Sequence, residues 1–270
     1  MITVLGASGF IGSGLLDALS QRGLDFYAPE RNENLIGKDL GNVIYCIGLT
    51  ADFRVKPFET LEAHVCYLSK ILKEANFNSL TYLSSSRLYI NASEVEVNED
   101  SEIKILINDP DELYTLTKLT GERICLSSGK NTKIVRLSNV YGEDYYSTNF
   151  IFDLLNKIRK NSKIELHTTL NSAKDYISIE SVTSLLLDIA MSDCSGIYNV
   201  ANGENLTNEE ILLIINKFYD FEYYVNPNAK QVIHPLIQIE KIKLNFNYEK
   251  ENTKQKLYNL IKNYKYDTSR

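Results

Sequence analysis

A phenol and an ammonium stand one helical turn apart in the run Tyr114-Thr115-Leu116-Thr117-Lys118. Residues four apart on a helix share a face, so Tyr114 and Lys118 can address one target. A phenol with an ordinary pKa near 10 is a poor base at neutral pH. A cation one turn away favours the phenolate and draws the group towards the range of general acid–base work. Upstream, Ser84-Ser85-Ser86 supplies hydroxyls that could polarise a carbonyl or hold an alcohol. The same tyrosine–lysine spacing also occurs as a plain surface pair on soluble helices. Its weight therefore comes from what surrounds it.

A second chemical feature lies at the amino end. Gly6-Ala7-Ser8-Gly9-Phe10-Ile11-Gly12 follows an apolar run and opens a helical pattern. Glycine is required where a turn is tight, where backbone must approach a pyrophosphate, and where helix meets strand closely. The helix start then offers N–H groups and a positive dipole to phosphate. The spacing is GxxGxxG, distinct from the GxGxxG fingerprint. Gly6, Ser8, Gly9, Phe10, Ile11 and Gly12 are thus expected to hold a dinucleotide; a ligand-free glycine turn is the plainer reading. At the end of the second strand an acid would bind a ribose 2′-OH, whereas an arginine would accommodate a 2′-phosphate. The chain offers Glu30 and then Arg31. Arg31 favours NADP(H), with NAD(H) the alternative and a solvated loop arginine the plain one.

The elements that must position these groups alternate. Strand-like runs at 2–5, 25–28, 43–47, 80–83 and 133–137 are separated by helical patterns at 10–19, 58–75 and 114–126. Short buried strands alternating with helices predict an α/β fold with a doubly wound, Rossmann-like parallel sheet. We expect a dinucleotide-binding region over 1–142, receiving segments back from the second half. A small mixed α/β substrate-binding region should span 143–270. There, helices are expected near 150–158, 181–189 and 207–218, a strand at 197–200, and a closing surface helix at 251–264. Thr207 and Glu210 have the spacing of a capping box.

Composition narrows the class. The 270 residues are 44% hydrophobic and 24% charged, ordinary for a globular chain, and the net charge of -6 disfavours nucleic acid as a partner. No apolar run reaches the roughly 20 residues needed to span a membrane. The start, Met1-Ile2-Thr3-Val4-Leu5, lacks a basic region and a small-residue cleavage site. Cys46, Cys66, Cys125 and Cys194 lie far apart and read as reduced thiols with no metal motif. A cytoplasmic enzyme without a metal is the expectation.

Taken together, these residues resemble the extended short-chain dehydrogenase/reductase family, in its nucleotide-sugar epimerase/dehydratase/reductase branch. The likeness runs from Ile2 to about Tyr264. Gly6 to Gly12 matches the glycine motif. Cys46-Ile47-Gly48-Leu49 matches the strand end that lines the cofactor, which implies contacts from Ile47, Gly48 and Leu49. Leu83-Ser84-Ser85-Ser86-Arg87-Leu88-Tyr89 matches "SSxxVYG", and the pattern selects Ser85 as the catalytic hydroxyl. Tyr114 and Lys118 match YxxxK, and both would also touch the cofactor. Arg136-Leu137-Ser138-Asn139-Val140-Tyr141-Gly142 matches "RxxNVYGP", which implies that Asn139 meets a substrate diphosphate. In Lys174-Asp175-Tyr176, Lys174 stands where "RDYxHV" has a phosphate-binding arginine. The resemblance also implies a nucleoside-diphosphate sugar as substrate, a role in surface-polysaccharide synthesis, and a homodimer built from 58–75 and 114–126.

Departures from the pattern are informative. Ser86 and Arg87 occupy the place of the dehydratases' acidic pair, so dehydration and decarboxylation are disfavoured and both residues are expected to face substrate. His64 replaces a common asparagine and is either nicotinamide-facing or simply packed. The stretch from Arg31 to Val43 is too short for the usual extra strand and helix, although Asp39-Leu40 resembles the family's adenine-contacting Asp-Leu and is expected to serve as such. Glu143 replaces a proline on the nicotinamide side. Thr50 and Arg54, in the loop after Gly48, are expected over the sugar. Asp144-Tyr145-Tyr146 is either a rim or a base-stacking surface. The first expectation is an NADPH-dependent reductase of a 4-keto-6-deoxysugar nucleotide. In it Tyr114 protonates the alkoxide, Lys118 tunes Tyr114 and orients the ribose, and Ser85 holds the carbonyl oxygen. The second is a 4-epimerase with tightly held NAD, and the third a non-catalytic dinucleotide sensor.

Overall fold

The computed structural model describes residues 1–50, 52–143, 150–160 and 163–266. Its chain opens with β1 (Ile2–Leu5), α1 (Phe10–Gln21), β2 (Phe26–Tyr27) and β3 (Asn42–Tyr45). Next, α2 (Pro57–Leu61), a π-helical turn (Glu62–Cys66) and α3 (Tyr67–Glu74) run without a break towards β4 (Ser79–Ser85). A 3-10 turn (Ser86–Tyr89) and β5 (Glu96–Val97) lead to α4 (Glu112–Ser127), β6 (Thr132–Leu137) and β7 (Asn139–Tyr141). The remainder comprises α5 (Phe150–Arg159), β8 (Ile164–Thr168), β9 (Ala173–Ser178), α6 (Ile179–Met191), β10 (Gly196–Val200) and β11 (Asn205–Thr207). After these come α7 (Asn208–Asn216), β12 (Tyr223–Lys230), β13 (Leu236–Ile237), α8 (Glu240–Phe246) and α9 (Thr253–Tyr266).

The main sheet has six strands in the order β10-β6-β4-β3-β1-β2, and every pair is parallel. Side chains alternate between its faces, as strand geometry requires. Val4, Ile44 and Val135 point into a cluster with Leu15 and Leu19 of α1 and Val182 and Leu186 of α6. Leu5, Val43, Tyr45 and Tyr82 point the other way, against Leu68 and Ile71 of α3 and Cys125 of α4. Helices on both faces leave the sheet no solvated side, which explains its near-continuous apolar strands. The expected second strand shrinks to the two residues of β2 at the sheet edge. Beyond it, residues 28–41 contribute only an isolated bridge between Asp39 and Asn76.

Smaller sheets, β11-β9-β7, β12-β8 and β13-β5, flank the main one. Strand β9 binds β7 in parallel and β11 antiparallel, which joins the second half to the end of β6. Another apolar cluster forms here, with Phe152 and Leu155 of α5, Ile211 and Ile215 of α7, and Leu257 and Ile261 of α9. Helix α9 is therefore more than the expected surface element, because its Leu257 and Ile261 are fully buried. The capping box at Thr207 and Glu210 is present. Strands β7 to β9, β11 to β13 and helix α8 carried no usable periodicity in sequence.

Candidate active site

In a parallel sheet, strand carboxyl ends share one edge, and ligands settle there. Gly6 follows β1 with φ at +86°, a conformation that disfavours any side chain. A Cβ on Gly12 would stand 2.2 Å from the Gly6 carbonyl oxygen, so only glycine lets α1 start so near the turn. Helix α1 begins after Gly9 without a side-chain cap. Its first N–H groups thus remain available to an anion. Ser8 and Gly9 are exposed here, whereas Phe10, Ile11 and Gly12 are partly or fully buried.

Tyr114 and Lys118 lie on the first turns of α4, which packs against β4 and the π-helical turn. A buried ion pair fastens α4 to the sheet: Arg136 of β6 donates to both Glu122 carboxylate oxygens, at 2.9 and 2.8 Å. Gly121 permits close approach, since a Cβ there would meet the Tyr82 hydroxyl at 2.4 Å. Lys118 is buried and its Nζ donates to the Leu83 carbonyl at 2.8 Å. Burial draws its ammonium down to about 8, opposed by Glu122 and Cys46. The Ser85 and Thr50 hydroxyls stand near that of Tyr114 and favour its ionised form.

The state of the phenol differs from the sequence expectation. Tyr114 is held above its ordinary value because burial outweighs the favourable contacts from Ser85, Arg87 and Thr50. The cation acting on it is Arg87, whose guanidinium carbon lies 5.9 Å from the ring centre. Lys118 is turned to the Leu83 carbonyl instead. His64 is fully buried, so its packed reading holds for the side chain. Its Nε2 accepts from the Leu49 N–H at 3.2 Å and its Nδ1 meets the Thr117 hydroxyl at 2.9 Å. Thr117 in turn donates to the Tyr114 carbonyl at 3.1 Å. These roles define a neutral ring protonated at Nδ1, in keeping with a pKa driven down by burial. His64 thereby ties the 48–49 loop to the helix that bears Tyr114.

Around these groups opens a cavity of about 620 Å³. It joins the glycine turn (Gly9, Phe10, Ile11, Gly12) with Gly48 and Thr50, and reaches Ser85, Ser86, Arg87, Tyr114 and Lys118. Asn139 and Lys174 line its far side. Asn139 also donates to the Asp175 carbonyl at 2.9 Å. Ile47 backs the turn, its N–H placed 3.0 Å from where a Gly6 Cβ would be. The neighbouring Asp175 carboxylate is structural, accepting from the N–H groups of Asn202, Gly203 and Glu204.

Other expected residues fall outside this cavity. Arg54 lies at its rim, stacked 4.4 Å over Phe53 and paired with Asp111. Arg31 lines a separate hollow of about 420 Å³ between residues 31–36 and α3, and Glu30 is exposed beside it. There Glu33, not Glu30, carries the local contacts, accepting from Tyr27 and Lys38. Asp39 and Leu40 require correction. They precede β3 at the opposite, amino edge of the sheet, where the Leu40 side chain is fully buried and its carbonyl accepts from Thr3. An adenine contact from them is incompatible with that position. Residues 144–146 lie outside the described residues. Sequence reasoning missed His234, which enters the cavity from the segment before β13, and Asp111. Neither sits in a motif that could have flagged it.

The cavity suits a dinucleotide: a glycine cradle that any Cβ would fill, an uncapped helix start, and a buried Ser84 hydroxyl without a partner at the strand ends. Ser85, Tyr114 and Lys118 stand beside such a cradle at the carboxyl ends of a Rossmann-type sheet. Residues 2–201 match the model of the NAD dependent epimerase/dehydratase family, and the chain belongs to that family. Its members are NAD(P)-dependent enzymes acting on nucleotide sugars. A comparison with curated protein sequences finds no match. Among solved structures, MoeE5 in complex with UDP-glucose and NAD is 19% identical, with 97% of each chain covered and a TM-score of 0.80. UDP-N-acetylglucosamine 4-epimerase from Methanobrevibacter ruminantium M1, in complex with UDP-N-acetylmuramic acid, is 20% identical. It covers 97% of this chain and 96% of its own, with a TM-score of 0.78. RMD from Pseudomonas aeruginosa complexed with NADPH is 17% identical, covering 100% and 99%, with a TM-score of 0.79. At these identities the likeness speaks for the fold.

Proposed function

We propose that the protein reduces the C4 carbonyl of a nucleoside-diphosphate ketosugar, with NADP(H) preferred. The observation that carries this reading is the hydroxyl cluster of Ser85, Tyr114 and Thr50 at the cavity wall, with the Lys118 ammonium buried behind it. Bound nicotinamide supplies the hydride. Ser85 orients the carbonyl oxygen, and Tyr114 delivers a proton to the alkoxide formed there. A phenol held above its ordinary value keeps its proton at neutral pH, as a general acid must. The Arg87 guanidinium, facing the Tyr114 ring, supplies positive charge that stabilises the phenolate left after transfer, while Lys118 orients the cofactor ribose from the cavity wall. Asn139 and Lys174 would receive the diphosphate. With Ser86 and Arg87 in place of an acidic pair, no carboxylate is available there to expel water. Arg31, facing α3 in its own hollow, supports the 2′-phosphate preference.

The same three residues would serve a 4-epimerase with retained NAD, and nucleotide-sugar 4-epimerases are among the similar structures. Self-association is proposed through the exposed apolar Phe58 and Leu61 of α2 and Leu116 of α4. Turnover with CDP-, dTDP-, GDP- and UDP-4-ketohexoses, with nicotinamide absorbance and sugar product followed together, tests the function. Stoichiometric NADPH oxidation is the expected result. A new isomer without net oxidation would favour the epimerase, and neither outcome with any sugar would overturn both readings.

A further inference from the structure

The chain as a whole is acidic, 35 Asp and Glu against 29 Lys and Arg, yet among the described residues no carboxylate lines the cavity. Its wall carries Arg87, Lys118, Lys174 and the imidazole of His234. Lys118 is held by the Leu83 carbonyl and Arg87 faces the Tyr114 ring, whereas Lys174 and His234 stand apart from the proton-transfer cluster. Arg87 Nε is buried and has no hydrogen-bond partner. The Lys174 ammonium makes no hydrogen bond or ion pair among the described residues, and burial together with Arg87 lowers its proton affinity. His234 is pushed down to about 4 by burial, Lys174 and Arg87, so it stands as a neutral ring beside two cations.

Asp111 is the carboxylate that meets Arg87, at 2.8 Å, but it is shared with Arg54. One negative charge therefore answers two guanidiniums, and Lys174 has none. Cations gathered out of water are costly unless an anion joins them. The position of Arg87 says where that anion must be. Its backbone N–H donates to Ser85 Oγ at 3.1 Å and its guanidinium carbon lies 5.9 Å from the Tyr114 ring centre. Positive charge thus stands beside the reacting carbon as well as at the diphosphate end, where Lys174 and Asn139 serve.

We propose that Arg87 binds a carboxylate carried by the sugar itself, so that the substrate is a nucleoside-diphosphate 4-ketohexuronate and the product the corresponding hexuronate. The inference rests on the reading that C4 faces Ser85 and Tyr114. C5, bonded to C4, bears the C6 group, which brings a C6 carboxylate alongside Arg87. A guanidinium can engage a carboxylate through two parallel hydrogen bonds. A 6-deoxysugar would instead place a methyl there, dehydrating Arg87 without answering its charge. The expected 6-deoxy substituent accordingly gives way to a carboxylate.

Calorimetry on the full chain loaded with NADPH, comparing UDP-glucuronic acid with UDP-glucose and GDP-mannuronic acid with GDP-mannose, tests this. In at least one pair the acid should bind about tenfold or more tighter, as a charge-assisted bidentate pair allows. Arg87→Met should bring the acid-to-neutral ratio close to one, and Arg87→Lys should leave an intermediate ratio. Equal binding of acid and neutral sugar in both pairs, or a ratio that survives Arg87→Met, would overturn the proposal. So would failure of both acids to bind protein that still reduces a neutral ketosugar, an outcome that leaves the hydride-transfer reading standing. Protein unable to bind NADPH at all would overturn both.

Discussion

Lys118→Met should abolish turnover and yet make the protein more stable at neutral pH. Burial draws the Lys118 ammonium from its ordinary 10.5 to about 8, with the Glu122 and Cys46 contributions opposing the shift. A base whose folded pKa lies below its unfolded value costs stability. That cost is present in full below the folded pKa and disappears as pH rises through the unfolded one. The interval from 10.5 to about 8 corresponds to about 3 kcal/mol. Methionine would also remove the 2.8 Å bond to the Leu83 carbonyl. Losing that donor costs about 1 kcal/mol, for a net gain near 2 kcal/mol at pH 7. Urea denaturation of both proteins at pH 7 and pH 10.5 measures the difference. The advantage of the variant should shrink towards zero, or reverse, at the higher pH. A variant less stable at pH 7, or a difference independent of pH, would refute the claim that this ammonium is held against its burial cost.

Tyr114→Phe should lower kcat by about 10² to 10⁴, the usual worth of a general acid, while the Kd of NADPH by fluorescence titration stays within about twofold. Wild-type turnover in the phenylalanine variant would dismiss Tyr114 from proton transfer. Arg31→Ala should weaken NADPH by about tenfold or more and NADH little, as loss of a phosphate-pairing guanidinium would; equal losses would leave cofactor choice to other residues. Glu122→Leu strands the buried Arg136 guanidinium and should cost about 3–5 kcal/mol in urea denaturation. A loss below 1 kcal/mol would mean that Tyr89 and the Glu99 carbonyl, which also accept from Arg136, suffice to hold it.

What was legible in sequence was whatever local chemistry dictates. The glycines of the first turn, the helical spacing of Tyr114 and Lys118, and the capping box at Thr207 are all short-range demands, and each element forms as expected. Elements fixed by long-range pairing were not legible. Strand β9 is held between β7 and β11, so Lys174 acquires its place only through partners in residues 139–141 and 205–207. The Asp39-Leu40 echo failed for a related reason. With no strand between β2 and β3, those residues have only the amino edge of the sheet to occupy. The phenol was misjudged because spacing along a helix gives proximity but not direction, and the Lys118 ammonium points at a strand carbonyl.

The departures from the family pattern collect in two places, the 28–38 segment with its own hollow and the cavity wall at Ser86 and Arg87, and physics gives a reason. Between them, the hydride must pass from nicotinamide to one sugar carbon, and that step tolerates little displacement of the groups around it. Ser85, Tyr114 and Lys118 line the cavity there, with the Arg136–Glu122 ion pair behind them. At the adenosine end, contact is needed only for affinity, and residues 28–38, braced by Glu33 with Tyr27 and Lys38, replace a strand and helix. At the sugar end, selectivity is a difference between ligands, and cations that outnumber the carboxylates answering them create one. Arg87 and Lys174 supply that charge on the same wall as Ser85 and Tyr114, with the neutral His234 ring lining the cavity beside them. A change of substrate with retained chemistry is what such a division would produce.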